Sequence, residues 1–140
     1  MTRRGVTTAG LAALSCLLLQ GCGGRGDMGR VSGTVTYRGR PVPDAVVKFS
    51  PLQKPPGLAR TDAAGRYTLN TLRKGDGGFT GTSVVTIVPW VEPFDSIAGG
   101  TPPPEPPRPD IPERYREPAT SPLRAEVVAR KDNVIDLELD

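Results

Sequence analysis

A chain of 140 residues with 18 basic and 15 acidic side chains carries a formal charge of only +3, too little to build a nucleic-acid surface on charge alone. Seventeen glycines and sixteen prolines against 5% aromatic residues exclude a helical bundle and point to short strands joined by many turns. Histidine is absent, which removes the commonest general base and the commonest zinc ligand together.

Arg3 and Arg4 give the chain a positive start, and Val6 to Leu19 follows without a charge. That run is shorter than the roughly 20 residues a membrane-spanning helix needs, so residues 1–21 read as a secretory signal peptide. It ends in Leu19-Gln20-Gly21-Cys22, which resembles the bacterial lipobox. The resemblance implies a diacylglycerol on the Cys22 sulfur, cleavage between Gly21 and Cys22, and an acyl chain such as palmitate on the new amine. Cysteine suits this chemistry because a thiolate attacks an activated lipid carbon far better than a hydroxyl does. Two or three chains, at about 0.8 kcal/mol per buried CH₂, hold far more firmly than one. The alternatives are an ordinary Cys22 thiol, or a pair with Cys16. Cys16 lies inside the apolar run and leaves with it, so the body is expected to hold no disulfide and to depend on its core. Gly23, in place of an aspartate after Cys22, resembles the pattern that permits export to the outer membrane.

Residues 22–29 read as a flexible tether. Arg25-Gly26-Asp27 within it resembles an integrin-binding tripeptide, but tether composition alone accounts for it. From Arg30 the pattern turns to period two. Val31, Gly33, Val35 and Tyr37 share one face, against Ser32, Thr34 and Thr36. After a turn shaped by Gly39 and Pro41, Ala45, Val47 and Phe49 alternate with Val46 and Lys48, and Pro51 is expected to end that strand. Asp62 to Gly65 is a turn, with Gly65 suited to a positive φ, and Tyr67 and Leu69 alternate after it. Gly75, Gly77, Gly78 and Gly81 are read as loosening the next loop. The β-branched run from Thr82 to Trp90 predicts a central, doubly covered strand. Two further strands, separated by a turn at Lys131-Asp132-Asn133, close the chain, with Ile135, Leu137 and Leu139 facing in. The expectation is an all-β sandwich of about seven strands over residues 30–140.

Residues 89–122 interrupt the rhythm with eleven of the sixteen prolines. This stretch reads as a long, proline-rich, partly disordered loop, with a docking segment or a cell-wall spacer as alternatives. Tyr115 and Leu123 are the residues available to pin it back onto the sandwich.

The stretches VSGTVTYRGRPVPDAVVKFSP, ARTDAAGRYTL, RKGDGGFTGTSVVTI, IPERYREPATSPLRAEV and NVIDLEL together resemble small bacterial lipoproteins with a carboxypeptidase-regulatory-like, transthyretin-like domain. The resemblance implies a prealbumin-like sandwich, lipid-anchored in the cell envelope.

Tests for chemistry mostly end in structural readings. The GDGGFTG stretch lacks the lysine-hydroxyl ending of a phosphate loop and precedes a strand. Asp76 with Asp62 or Asp110 lacks the spacing of a calcium loop. Glu113 and Glu117 lie in the proline-rich segment and read as solvated. An isopeptide between Lys48 and Asn133 is conceivable across strands, though Lys48 alternates away from the apolar face. No enzyme, cofactor, metal or nucleic-acid role is expected. The leading reading is a non-catalytic envelope module with a structural, adhesive or protein-binding role, its partners the membrane through the anchor and an envelope protein, peptidoglycan or polysaccharide. The alternative is a carbohydrate-binding module using Trp90, Tyr67 and Tyr115, with Phe79, as stacking platforms.

Overall fold

The computed structural model describes residues 26–91 and 109–140. They form an all-β protein of two facing sheets with ten strands, three more than the sequence rhythm predicts. The strands are β1 (Met28–Tyr37), β2 (Arg40–Pro41), β3 (Ala45–Pro51), β4 (Gly57–Arg60), β5 (Arg66–Thr68), β6 (Gly78–Phe79), β7 (Gly81–Pro89), β8 (Arg124–Val127), β9 (Asp132–Val134) and β10 (Leu137–Leu139). The surplus comes from short pieces such as β2 and β6, two residues each, which only a neighbouring strand can define.

Strand β1 is the axis of the first sheet. Along one side it pairs antiparallel with β6, β5 and β2 in succession. Along the other it pairs parallel with β9 and β10. The second sheet is antiparallel throughout, in the order β4-β3-β7-β8, so β7 is interior as its β-branched run predicts. A bridge between Leu58 and Asn70, with mutual N–H to C=O bonds of 2.7 and 2.9 Å, ties the edge of β4 to the chain just after β5. The two sheets are thereby stitched along one border.

The alternation read from the sequence sets which side chains meet. Val31 and Val35 from β1, Ala45, Val47 and Phe49 from β3, Tyr67 and Leu69, Val85 and Ile87 from β7, and Leu137 and Leu139 from β10 join one buried cluster. The Phe49 and Tyr67 rings lie 6.2 Å apart at 42°, within the tilted range aromatic pairs favour. On the outer face of β7 only Thr86 is buried, while Val84 and Val88 are half-buried.

The chain turns where small or special conformations allow. Arg38 (φ 49°) and Gly39 (φ 76°) make a two-residue β1–β2 turn with both central residues left-handed, the arrangement that matches strand twist. Gly65 has the positive φ expected of it, 73°. A Cβ there would stand 2.6 Å from the Val35 carbonyl.

Several sequence expectations change. Strand β1 begins at Met28, two residues before Arg30, because Asp27 is already held: its carbonyl accepts the Thr80 N–H and its carboxylate pairs with Lys54 at 3.1 Å. Pro51 ends β3 as expected: it is the last paired residue, opposite Ser83, where a missing N–H costs little. The turn after β8 comes earlier than Lys131-Asp132-Asn133, centred on Arg130 (φ 56°), and Asp132 and Asn133 belong to β9. Gly75 and Gly81 are exposed with open space around them, but Gly77 and Gly78 do not loosen the loop. Gly77 and Gly78 are buried, and a Cβ at Gly77 would lie 1.9 Å from the Gly29 carbonyl oxygen. They let the loop press against the start of β1.

The described part of the proline-rich segment is also more ordered than its composition predicts. A 3-10 turn at Glu113–Tyr115 inserts Tyr115, and Ile111 before it, into the core. Ser121 Oγ donates to the Val85 carbonyl, and Val85 N–H donates to the Leu123 carbonyl at 3.1 Å. The segment thus closes the edge of the sandwich beside β7.

Among the described residues one buried side-chain polar atom, Ser83 Oγ, has no hydrogen-bond partner. Leaving a hydroxyl unsatisfied is costly, so Ser83→Ala should be unchanged in stability or gain up to about 1 kcal/mol. Urea unfolding measures this; a clear loss would mean the hydroxyl has a partner.

Candidate functional site

The proposed signal peptide, the Gly21–Cys22 cleavage point, Cys22 itself and Arg25 lie outside the described residues, as does 92–108 of the proline-rich stretch. The candidate site within the body is therefore sought among the strands.

A shallow groove of about 820 Å³ runs over the outer face of the first sheet. Its floor follows from strand alternation. Ser32 and Thr34 point outward from β1, Arg66 and Thr68 from β5, and Val134 and Asp136 flank them on the parallel side. Arg60, Asp62 and Asn70 form its rim. This is a mixed surface of hydroxyls, an amide, two carboxylates and two guanidiniums, able to exchange hydrogen bonds with a polar partner. Many of its groups already hold the fold. The Asp136 carboxylate accepts the Thr34 N–H at 2.8 Å, and Asn70 accepts the Gly75 N–H.

Beneath the groove the parallel partner of β1 breaks between β9 and β10 without losing register. Arg30 is opposite Asp132 and Val35 opposite Leu137, the same offset. At the break the Ile135 carbonyl accepts the Tyr67 hydroxyl at 2.6 Å, while the Asp136 side chain supplies the acceptor that the backbone has withdrawn. Burial first, and the Asp136 charge second, push the Tyr67 phenol well above its ordinary value.

The three rings chosen from the sequence separate. Tyr67 and Tyr115 are 3% and 1% exposed, so neither offers a face to a ligand. Only their position on the alternating pattern hinted at this for Tyr67. Trp90 is half-buried at the end of β7, its N–H bonded to the Asp44 carbonyl at 2.8 Å. The Arg60 guanidinium sits over its ring at 4.7 Å and pairs with Asp44 at 2.9 Å. Phe79, on β6, carries the Lys54 ammonium at 5.6 Å. The aromatic rings are covered by neighbouring cations rather than set out as a row.

The carboxylates considered for metal work as turn locks. Asp62 accepts the Ala64 and Arg66 N–H groups, both at 2.9 Å, and the Arg66 side chain at 3.0 Å. The Arg66 amide is the main cause that its carboxyl sits below the usual value. Asp76 accepts N–H groups from Thr71, Leu72 and Arg73 at 2.7–2.8 Å. Desolvation pushes its carboxyl up, but the amides together outweigh this and hold it down. Asp110, Glu113 and Glu117 are exposed. Among the described residues no three His, Cys, Asp or Glu side chains gather as metal ligands would.

A pH dependence follows from Asp76. Its folded pKa is depressed, so its stabilisation is present above the ordinary carboxylate value and lost as pH falls through the folded one. Asp76→Asn should be less stable than wild type at neutral pH, with the gap closing below about pH 4. Urea midpoints at the two pH values measure it; a gap independent of pH contradicts the assignment.

Lys48 and Asn133 are not brought together. Lys48 lies on β3 in the second sheet, Asn133 on β9 in the first. The Asn133 amide donates to the Arg30, Val128 and Lys131 carbonyls and accepts the Val128 N–H, so it pins the β8–β9 turn to β1. Sequence spacing marked Asn133 as notable but could not show that its amide is consumed by a turn.

Compared with known proteins, the chain matches no protein family, no curated protein and no solved structure.

Proposed function

We propose that this protein is a lipid-anchored, non-catalytic β-sandwich module of the bacterial cell envelope, attached through Cys22 and destined for the outer membrane. The observation that carries the reading is Leu19-Gln20-Gly21-Cys22 placed directly after a positively started, uncharged run. Two features support it. The first strand begins only six residues after Cys22, at Met28, as expected of a domain hung on a short tether. The body's polar and charged side chains serve turns and sheet junctions, which favours a structural, adhesive or protein-binding role over catalysis. Within this reading the sandwich is of the carboxypeptidase-regulatory-like, transthyretin-like kind, and the groove over β1 and β5 is the face offered to an envelope protein, peptidoglycan or polysaccharide.

Labelled palmitate supplied to cells making wild type or Cys22→Ser tests the anchor. Wild type should take up label and partition with the detergent phase; Cys22→Ser should lose the label entirely and remain unprocessed. A labelled Cys22→Ser, or a wild type that never takes up label, removes the reading.

A further inference from the structure

Three turns of the body converge on the point where the chain arrives from Cys22. The β3–β4 turn is held there by Lys54, which pairs with Asp27 and reaches the Thr80 carbonyl at 3.5 Å. The loop from Thr71 to Gly77 packs its Gly77 against Gly29. The turn after β8 is fixed by Arg130 N–H donating to the Met28 carbonyl at 3.0 Å. All three therefore lie at one end of the sandwich.

That end is unusual in composition. Leu52 is 86% exposed and Leu72 64% exposed, one at the tip of each of the first two turns. Beside them Arg73, Lys74, Arg130 and Lys131 are all exposed. The acidic side chains there are largely committed: Asp27 to Lys54, and Asp76 to three backbone amides, leaving Asp132. Isolated exposed leucines are ordinary, but two on adjacent tips ringed by basic groups form a surface of amphipathic character.

We propose that this end is a membrane-contact surface, its basic side chains meeting anionic phospholipid headgroups while Leu52 and Leu72 enter the interface. The inference rests on the Cys22 anchor. Three residues lie between Cys22 and Gly26, so the two Cα atoms are at most about 14 Å apart and an anchored chain keeps this end within headgroup reach whatever path the linker takes. Basic residues near an anionic leaflet are each attracted appreciably within a Debye length, a distance of about 8 Å in physiological salt. The contact fixes the body's orientation: β7 spans nine residues, so Trp90 at its far end stands about 30 Å away, and the flank groove is left open to the envelope.

The test uses the full lipidated chain, extracted from producing cells and reconstituted into vesicles of brominated phosphatidylcholine, with or without brominated phosphatidylglycerol. Leu52→Trp and Leu72→Trp, each with Trp90→Phe, report depth by quenching; wild-type Trp90 reports the far end. Flotation reports the anchor separately, and circular dichroism reports the fold. The expected result is flotation of every variant, quenching of both new tryptophans in phosphatidylglycerol vesicles, and no quenching of Trp90. Reversing Arg73, Lys74, Arg130 and Lys131 to Glu should abolish quenching and leave flotation intact. Chains that float with the new tryptophans unquenched overturn the contact surface but not the anchor. Quenching that is equal in phosphatidylcholine alone, or that survives charge reversal, overturns the headgroup recognition. A folded wild type that does not float overturns the anchor, and the contact surface with it.

Discussion

Gly33→Ala is expected to be among the most destabilising single substitutions in the body. Gly33 sits in the middle of β1, opposite Tyr67 and beside the break between β9 and β10. A Cβ there would lie 1.9 Å from the Ile135 carbonyl oxygen and 3.1 Å from a Tyr67 ring carbon. Neither is a flexible chain end. The carbonyl is backbone and is already fixed by the Tyr67 hydroxyl, and the ring belongs to the core. Relief requires β1 and its parallel neighbour to separate, breaking bonds on both sides. Overpacking typically costs about 1–3 kcal/mol, and a clash with fixed backbone belongs at the upper end of that range, a large share of the stability of a domain this size. Thr34→Ala, one residue on and facing the groove, provides the comparison and should stay within about 1 kcal/mol. Urea unfolding of the two measures the contrast; equal midpoints would mean that the close crossing is not maintained.

Tyr115→Ala should cost about 3–5 kcal/mol, the range for deleting a large buried ring. Tyr115 is 1% exposed and belongs to the same cluster as Phe49 and Val85. Its hydroxyl donates to the Asp140 carboxylate at 2.5 Å and accepts the Asp140 N–H at 3.2 Å, so it also holds the chain end beyond β10. Arg114 pairs with the same carboxylate at 2.7 Å. Tyr115→Phe should keep the packing and lose only these contacts, for about 1 kcal/mol. Limited proteolysis adds a local readout. The alanine variant should be cut between Ile111 and Ser121 far faster than the phenylalanine one. A Tyr115→Ala protein with wild-type stability would show that the segment does not contribute to the core.

These two positions also mark where the sequence was legible and where it was not. Strands β1 and β3 were readable because one face of each is more buried than the other, so Val31, Val35, Ala45, Val47 and Phe49 recur at period two; β7 was readable as an interior strand from its β-branched run. Gly65 was readable as a left-handed turn because its neighbours carry turn chemistry. The purpose of Gly33 and Gly77 was not. A glycine required by another strand's approach looks the same in sequence as one required for flexibility. Ile111 and Tyr115 were masked by the prolines around them, since composition averages over residues that packing treats one by one. The groove was hidden for a similar reason. Ser32 and Thr34 were visible as outward positions, but only the pairing of β1 with β5 brings Thr68 and Arg66 beside them. The cysteine anchor is the reverse case: a local motif legible in four residues, independent of any fold.

The proposed envelope role requires lipid at that cysteine, and mass spectrometry of the N-terminal peptide of protein purified from bacterial membranes reads it directly. The peptide should begin at Cys22 and carry a diacylglycerol on sulfur, with an acyl chain on the amine. A chain extending upstream of Cys22, or one that starts there with an unmodified thiol, would contradict the account.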